Sequence, residues 1–454
     1  MSNTAIPPAQ TEASKLSLPR VLGLRDVIGI LIGSVIGSGI FIVPAAVAGQ
    51  VPSPVLMMSV WFVGGILSFF GALAFSELGA AFPEAGGMYV YLRESYGTLI
   101  AFLFGWSLFL VIDSGAVATL AVAFSSNYLP YFLSLSPLAQ KGVALLFIAV
   151  HVAINYYGVR WGALVQNIFM IIKFGAILAV TLVVFLFADG STANFVTPEI
   201  GSFSPGLFAS FGIALVASLW AYKGWESVTF SCGEMKNPGR NLPLGLLVGT
   251  LLVLFCYLIT NLAYLYVAPT SEIAKSPTIA AEAMRMAIGP IGGSMIAFVI
   301  LFSIFGAAGA IVLTSPRVYF AMARDGLFFK KIAAVHPKYL TPHLSILILG
   351  LWSAILSVSG TFEQLLTYVI FGQWIFFGLT VGSVFILRRK QPALKRPYRT
   401  WGYPVTPFLF ILCAFYISVN SLVYTFWNAL AGLLVILAGI PAYIYWNSKR
   451  KGSG

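Results

Sequence analysis

The stretch IGILIGSVIGSGIFIVP, residues 28–44, decides how this chain folds. It is apolar along its length, but four glycines and a proline interrupt it: Gly29, Gly33, Gly37, Gly39 and Pro44. The first three are four residues apart, a spacing that lets a second helix pack closely. Gly39 departs from this spacing, and glycine in a helix costs about 1 kcal/mol relative to alanine. The pattern predicts a membrane helix broken near its middle, with close helix packing alone as the alternative.

The composition of the chain also indicates a membrane protein. Of its 454 residues, 59% are hydrophobic and 9% are charged, whereas soluble domains have roughly 25% charged residues. Only helices and closed barrels span a membrane, because every backbone polar group needs an internal partner there. The apolar runs are continuous, as in spanning helices, and do not alternate as in barrel strands. We therefore predict an all-α membrane protein.

The apolar runs predict twelve transmembrane helices. These spans lie at residues 24–49, 55–80, 98–130, 142–157, 161–187, 206–234, 244–268, 291–322, 342–360, 364–386, 404–424 and 426–446. An even number places both termini on one side, which then holds 21 of the 26 Lys and Arg residues. By the positive-inside rule that side is the cytoplasm. The net charge of +12 thus follows from topology, and no nucleic acid is expected as a partner.

The chain is predicted to form a single membrane domain, residues 21–447. A cytoplasmic arm, residues 1–20, precedes it, and a cytoplasmic tail, residues 448–454, follows. The arm as far as Pro19 and the tail from Lys449 are expected to be disordered. The arm contains no apolar signal segment, so the first span is expected to act as the membrane signal. Residues 277–288 predict a short amphipathic helix over the outer face.

Cysteine and histidine give no sign of a disulfide framework or a metal site. The three cysteines and three histidines are scattered along the chain, without CxxC or metal-ligand spacing. No metal and no cofactor are expected.

Span 6 contains a second interruption. It reads FGIALVASLWAYKGWESVTF, residues 211–230, with Lys223, Gly224 and Glu226 at its centre. Spans 1 and 6 are the first members of two halves of five spans each. Broken helices at matching positions of two halves indicate an inverted repeat, with spans 11 and 12 appended. This symmetry is inferred from position alone, since the halves show no residue-level similarity.

The break in span 1 predicts a binding site for a zwitterion. Unwinding would leave the amides of Ser38, Gly39 and Ile40 at the start of the second half-helix, where an anion binds readily. The carbonyls of Val35 and Ile36 would end the first half-helix and accept hydrogen bonds from a cation. One broken helix would thus hold both ends of a zwitterion.

Four motifs resemble a known family. They are GSGIF at 37–41, FSELGAAFPEAGGMYVYLRESYG at 75–97, LWAYKGWESVTFSCGEMKNPGRNLP at 219–243 and FSIFGAAGAIVLTSPRVYFAMARDGLF at 302–328. Together, in this order and over nearly the whole chain, they resemble the amino acid–polyamine–organocation (APC) superfamily. The last two resemble its L-type amino-acid transporter branch and the bacterial relatives of that branch.

The resemblance implies a LeuT-type fold of 5+5 inverted repeats that works by alternating access. By position, Val35, Ser38 and Gly39 would face the carboxylate and the amine of an amino acid. Trp220 would form an aromatic gate, and Ala221 would offer a carbonyl to the amine. Without the surrounding motif, Trp220 would be interpreted as core or lipid packing.

Four ionisable residues lie inside spans: Asp113, Lys173, Lys223 and Glu226. Charges at this depth are costly and are candidates for function, with buried structural ion pairs as the alternative. Asp113 is a candidate partner of Lys223, and Lys223 would repel a cationic substrate. A glutamate at the position of Glu226 is typical of the arginine/agmatine antiporter-like branch, where it is linked to proton sensitivity.

Lys173 stands where sodium-coupled relatives of the resembled fold bind sodium between spans 1 and 8. No acidic residue lies within a helical turn of it, and it is too deep to reach either interface easily. We expect its ammonium group to contact span 1 carbonyls near Gly33, with Ser303 of span 8 close by. Transport should then not need sodium.

The sequence predicts a secondary active, sodium-independent transporter of neutral, small to medium L-amino acids in the inner membrane. It would be an exchanger or would use protons as the coupling ion. Cationic amino-acid or polyamine exchange is the alternative. An integral-membrane enzyme is a remote one, because no constellation of histidine and acid is present. Residues 125–141 lack the cysteine that joins L-type proteins to a heavy subunit, so the expected partners are an amino acid and membrane lipid, without a disulfide-linked subunit.

Overall fold

The computed structural model describes residues 18–51, 53–196, 205–276, 278–359, 362–424 and 426–451. Within these residues the regular structure is helical, apart from one isolated backbone bridge between Leu22 and Met235. The main helices are α1 Leu24–Val35, α2 Gly39–Ala48, α3 Pro54–Ala81, α4 Met88–Tyr96, α5 Thr98–Tyr131, α6 Pro137–Tyr156, α7 Val159–Phe187, α8 Pro205–Ala221, α9 Pro238–Val267, α10 Ile279–Ile288, α11 Ile291–Arg324, α12 His343–Ser359, α13 Phe362–Lys390, α14 Val405–Tyr424 and α15 Phe426–Lys451.

The helices confirm an all-helical, multi-pass membrane protein. In the described part of the chain, nine helices are long and apolar enough to cross a membrane, and the bent pair of α1 and α2 makes a tenth. The apolar helix α12 has 17 residues, slightly fewer than the roughly 20 that a bilayer needs. The total of twelve spans therefore stays a prediction.

The first predicted break lies between α1 and α2. The axis of α2 is bent by 46° from that of α1. At the break, Ile36 has an extended conformation with ψ 97°. Gly29 and Gly33 lie on the face of α1 that packs on α7, where added side chains would collide with the side-chain oxygens of Asn167 and Gln166. Both interpretations of the glycine pattern therefore apply, close packing at its start and a break at its end.

The second break follows α8. The α-helix ends at Ala221, and the chain resumes as a 3₁₀ segment, Trp225–Glu234. Between them Gly224 has φ +122°, a conformation that side chains disfavour. A Cβ atom on Gly224 would lie 2.8 Å from the Ser34 carbonyl oxygen. Gly224 thus lets the second break approach the end of α1.

Two helices begin earlier than the apolar pattern predicts. Helix α6 starts at Pro137, where the Ser136 hydroxyl accepts a hydrogen bond from the Ala139 amide at 3.3 Å. Helix α9 starts at Pro238, in the polar stretch before its apolar run. Proline is compatible with the first helical turn, because its missing N–H would have no partner there.

The structure describes little of the predicted N-terminal arm but most of the predicted C-terminal tail. Residues 1–17 and 452–454 of the predicted arm and tail lie outside the described residues. The expected disorder from Lys449 is wrong as far as Lys451, because α15 continues to that residue. The ring of Trp446 stacks on Phe328, with centroids 6.0 Å apart, which holds the end of α15 against the chain after α11. The predicted outer helix is present as α10, and Pro277 lies outside the described residues.

A buried ion pair joins the second break to α11. Arg317 donates from Nε to Glu234 Oε2 at 2.7 Å and from Nη2 to Glu234 Oε1 at 3.0 Å, and both side chains are fully buried. The Glu234 carbonyl also accepts from the amides of Val21 and Leu22, at 2.8 and 2.9 Å. Glu234 therefore joins the end of the second break both to α11 and to the chain just before α1.

Candidate functional site

The two helix breaks face each other across a cavity of about 120 Å³. This volume has room for several water molecules. The cavity is therefore on the scale of a small amino acid. The lining comes from both breaks and from helices α5 and α11: Ser34, Val35, Gly37, Ser38, Gly39, Asp113, Ala116, Thr119, Leu120, Trp220, Ala221, Lys223, Gly224, Glu226, Ser227, Ala307 and Ile311. Most of the predicted substrate residues therefore surround one space.

The start of α2 is the end of the cavity that suits an anion. Ser38 and Gly39 line the cavity, and amides in the first turn of a helix have no acceptor within the helix. Gly37 also lines it, and a Cβ atom there would meet no heavy atom within 4 Å. Ile40, which was predicted to share this site, is fully buried and does not line the cavity.

The carbonyls at the end of α1 and at the end of α8 share a hydrogen-bond donor within the protein. The Tyr257 hydroxyl lies 3.2 Å from the Val35 carbonyl oxygen and 3.1 Å from that of Ala221. One hydroxyl has one proton, so it donates to these two acceptors in turn. Each carbonyl keeps a second lone pair for a ligand amine. Ile36 does not line the cavity, because its carbonyl points to Lys173.

Lys173 lies behind the break in span 1. Its Nζ donates to the carbonyl oxygens of Gly33, at 2.8 Å, and Ile36, at 2.7 Å. The Ser303 hydroxyl donates to the same Ile36 oxygen at 3.2 Å. The lysine is 1% exposed. The structure thus places Lys173, Gly33 and Ser303 together, outside the cavity, and their role in coupling stays a prediction.

Asp113, Lys223 and Glu226 line the same cavity. Lys223 is close enough to both carboxylates to interact electrostatically. In the described part of the chain, however, no ion pair within 4.0 Å joins it to either one. The expected direct pairing of Asp113 with Lys223 is therefore not seen, and the Asp113 carboxylate accepts a hydrogen bond from Ser315 Oγ.

Glu226 is held by groups around the second break. Its Oε2 accepts from the Gly224 amide at 3.0 Å, and its Oε1 accepts from Gln373 Nε2 at 2.7 Å. Ser227 Oγ donates to the Gly224 carbonyl at 2.7 Å and lies 3.0 Å from Ser34 Oγ. The contacts to Gly224 stabilise the conformation of the second break, and the contact with Ser34 connects this break to span 1.

Sequence reasoning missed several residues of the site. Tyr257 gave no signal, because a tyrosine within an apolar run looks like packing. Apart from Asp113, which was predicted, the α5 residues that line the cavity were also missed: Ala116, Thr119 and Leu120. They lie between two π-helical stretches, Leu108–Ile112 and Ala123–Tyr128. Such stretches are frequent at functional sites, but an extra residue in a helical turn leaves no pattern in one sequence. Gly37 could have been found, since it lies inside the GSGIF motif.

A multi-pass helical protein with a central cavity at two broken helices has the features of a secondary transporter. The profile of the amino acid permease family matches residues 22–440, and the chain belongs to this family. It is 33% identical over 442 residues to the serine/threonine exchanger SteT of Bacillus subtilis, covering 96% of this chain and 98% of SteT. This family lies in the APC superfamily, as the motifs indicated.

Two human relatives match over a similar length. The b(0,+)-type amino acid transporter 1 is 32% identical over 443 residues, which cover 95% of this chain and 89% of the relative. The cystine/glutamate transporter is 30% identical over 452 residues, which cover 98% and 89%. The relatives are transporters, so this protein is an amino-acid transporter and not an enzyme, and the resemblance to the L-type branch is confirmed.

Proposed function

We propose that the protein is a secondary active, sodium-independent transporter of neutral, small to medium L-amino acids that works by alternating access. The observation that carries the proposal is the cavity between the two helix breaks, with backbone amides on one side and backbone carbonyls on the other. Exchange and proton coupling are both compatible with this site.

The cavity offers complementary groups to both ends of a zwitterion. The substrate carboxylate would accept from the amides of Ser38 and Gly39, helped by the positive end of the α2 dipole. The substrate amine would donate to the free lone pairs of the Val35 and Ala221 carbonyls. Trp220 lines the cavity next to Gly39, where its ring would cover the bound substrate.

The charges around the cavity favour a neutral substrate. Both carboxylates already accept hydrogen bonds, Asp113 from Ser315 and Glu226 from Gly224 and Gln373. Lys223 Nζ has no hydrogen bond or ion pair in the described part of the chain and lines the cavity. An arginine or lysine side chain would meet this ammonium group in a space of low dielectric constant, where like charges repel strongly.

A cationic amino acid or polyamine is the second candidate substrate. Two of the three charged groups that line the cavity, Asp113 and Glu226, are acidic. If both were ionised, their sum with Lys223 would be negative and would attract a cation. The proposal for neutral substrates therefore depends on Lys223 facing the substrate more directly than the carboxylates do.

The architecture proposed for transport has twelve spans in a LeuT-type 5+5 inverted repeat, with the last two spans appended. The breaks in spans 1 and 6 support it, because they occupy matching positions. We further propose an inner-membrane location with both termini cytoplasmic, from the bias of basic residues. Residues 125–141 contain no cysteine, and Cys232 and Cys256 are buried while Cys413, partly exposed, lies in α14; the missing cysteine supports a chain that works without a disulfide-linked subunit.

A competition assay tests the proposed substrate. The purified protein is reconstituted in liposomes, and uptake of radiolabelled serine is measured against a panel of unlabelled amino acids, with and without serine inside. Neutral small amino acids should compete, and arginine and lysine should not. Loss of uptake without internal substrate would identify exchange. Strong competition by arginine, abolished by Asp113→Asn, would instead support the cationic alternative.

A further inference from the structure

A second cavity, of about 600 Å³, lies where α11 and α15 end side by side. Helix α11 ends at Arg324, and α15 ends at Lys451. Both are long apolar helices that qualify as membrane spans, so their shared end lies at the depth of the lipid headgroups. No residue of the substrate cavity takes part in this second cavity.

The lining of the second cavity is strongly basic. It includes Arg324, Lys330, Lys449 and Arg450, with Asp325 as its one acidic member. The Asp325 carboxylate accepts from the Tyr89 hydroxyl and from Arg93 Nη1, both at 2.8 Å. Arg93 lies outside the lining and also pairs with Glu94 at 2.9 Å and with Glu84 at 3.6 Å, so it offsets the charge of Asp325 only in part. The four cations of the lining still outnumber its one carboxylate.

Three of these cations are available to a ligand. Arg324, Lys330 and Arg450 are exposed, and no ion pair within 4.0 Å is found for them in the described residues. A methyl group built on Gly326 would lie 3.3 Å from Arg450 Cγ. The stem of Arg450 thus packs on the chain after α11 and closes one side of the cavity.

Aromatic rings form the rest of the wall. Trp446 stacks on Phe328 at 6.0 Å and meets Phe329 edge-on at 4.9 Å. Phe329 is 61% exposed and Tyr445 is 52% exposed. Exposed aromatic rings beside basic side chains are typical of the membrane–water interface, where rings contact acyl chains and cations contact headgroups.

We propose that this cavity binds the headgroup of an anionic phospholipid. Arg324, Lys330 and Arg450 would contact the phosphate, and Phe329 and Tyr445 would contact the first methylenes of the acyl chains. A soluble anion would use the same cations but would leave the exposed rings in water. The position of the cavity at the ends of two membrane helices therefore favours a lipid.

Lipid titration of the whole purified protein tests this inference. The protein in a neutral detergent is titrated with short-chain phosphatidylglycerol, with phosphatidylcholine of the same chain length and with inorganic phosphate. Lipid binding is read by native mass spectrometry and by the unfolding temperature. Phosphatidylglycerol should bind and raise the unfolding temperature, the other two should not, and high salt should weaken the effect because the contact is electrostatic.

Charge-neutralising variants distinguish lipid binding at this cavity from lipid binding elsewhere on the basic surface. Arg324→Gln with Arg450→Gln should weaken phosphatidylglycerol binding by roughly tenfold or more, because each basic residue next to an anionic headgroup contributes to binding. Lys236→Gln with Arg240→Gln is the matched control, since these exposed cations lie on the same predicted side but outside the cavity. It should bind like the wild type.

Several results would overturn the inference. These are equal binding by both double variants, equal binding of phosphatidylcholine, and a full effect of inorganic phosphate alone, which would mean a soluble-anion site. If the Arg324/Arg450 variant did not fold, the headgroup comparison and the salt dependence of the wild type would still decide. Amino-acid uptake is a separate readout, so a failure here would leave the proposed transport function intact.

Discussion

At the scale of single residues, two glycines of the same motif have different surroundings. A Cβ atom on Gly39 would lie 2.9 Å from Ala221 Cβ and 3.0 Å from Ala221 Cα, whereas one on Gly37 would meet no heavy atom within 4 Å. Gly39 therefore lets the two breaks touch, and Gly37 leaves the cavity open. A large residue at Gly39 would disturb the fold of the site as well as its access, so Gly37 is the better probe of substrate binding.

The first prediction concerns Gly37. Gly37→Leu should abolish uptake and substrate binding without a loss of folded protein, because its side chain would fill the cavity. Gly175→Leu is the matched control: Gly175 lies on the exposed face of α7, and a Cβ atom there also meets nothing within 4 Å. Uptake, binding by calorimetry and size-exclusion behaviour are measured together. Wild-type uptake in Gly37→Leu would refute the placement of the substrate.

The second prediction concerns Lys173. Its ammonium group joins α7 to two carbonyls of span 1 but does not line the cavity. Lys173→Ala should therefore reduce uptake more than it reduces substrate binding, because the broken end of span 1 would lose these two hydrogen bonds to α7 while the cavity kept its shape. Calorimetry beside initial uptake rates gives both quantities. Equal losses in both would mean that Lys173 maintains the binding site and does not act in the conformational cycle.

At the scale of elements, the ends of helices decide how the cavity is held. Tyr257 of α9 contacts the last carbonyls of both α1 and α8, and Glu234 fixes the far end of the second break. These contacts join segments that are distant in the sequence. The pattern of glycines and charges predicts where the helices break, but it contains no information about which side chain from another helix closes each break.

The third prediction concerns the buried pair of Arg317 and Glu234. Arg317→Met should lower the free energy of unfolding by about 3–5 kcal/mol, because it leaves a buried carboxylate without its partner. The double variant Arg317→Met with Glu234→Leu should recover much of this loss, since it removes both charges. Unfolding in a mild detergent measures the differences. Equal stability of the single variant and the wild type would mean that Glu234 is neutral in the folded protein.

At the scale of the whole molecule, the apolar runs predict where most of the helices lie, whereas the bias of basic residues predicts only their orientation, which stays a prediction. The helix bounds agree with the predicted spans within a few residues, apart from the earlier starts of α6 and α9 and the longer α15. The extra residues at these three helix ends are polar or basic, so hydropathy does not predict them. A cap stabilises the start of α6, proline the start of α9, and aromatic packing the end of α15. The cavity depends on distances between breaks, and no property of a single segment determines those.

The fourth prediction concerns orientation. The positive-inside rule places Lys338 in the cytoplasm and Lys275 outside. The native Cys232 and Cys256 are buried, but Cys413 is partly exposed, so the experiment is done in a Cys413→Ser background. A membrane-impermeant maleimide should label Lys275→Cys in intact cells and Lys338→Cys in broken cells only, with the unsubstituted protein as the control for background. Labelling of Lys338→Cys in intact cells would reverse the proposed topology.

The last prediction concerns the coupling ion of the whole transport cycle. Lys173 supplies a fixed positive charge to carbonyls of span 1, and Ser303 of α11 shares one of them. A sodium ion at this position would need the same oxygens and would be repelled by the ammonium group. If the proposed alternating access moves helices relative to one another, a charge that is part of the chain would do the structural work of a bound ion without dissociating.

Uptake in liposomes should therefore be the same with sodium outside as with choline. The matched measurement uses the same liposomes with a proton gradient imposed and then collapsed, so that sodium and protons are tested separately. A several-fold loss of uptake on replacing sodium would refute the role of Lys173 as a substitute for the ion. Sodium dependence that arises only in Lys173→Ala would support this role most directly, because removing the ammonium group frees the Gly33 and Ile36 carbonyls for a cation.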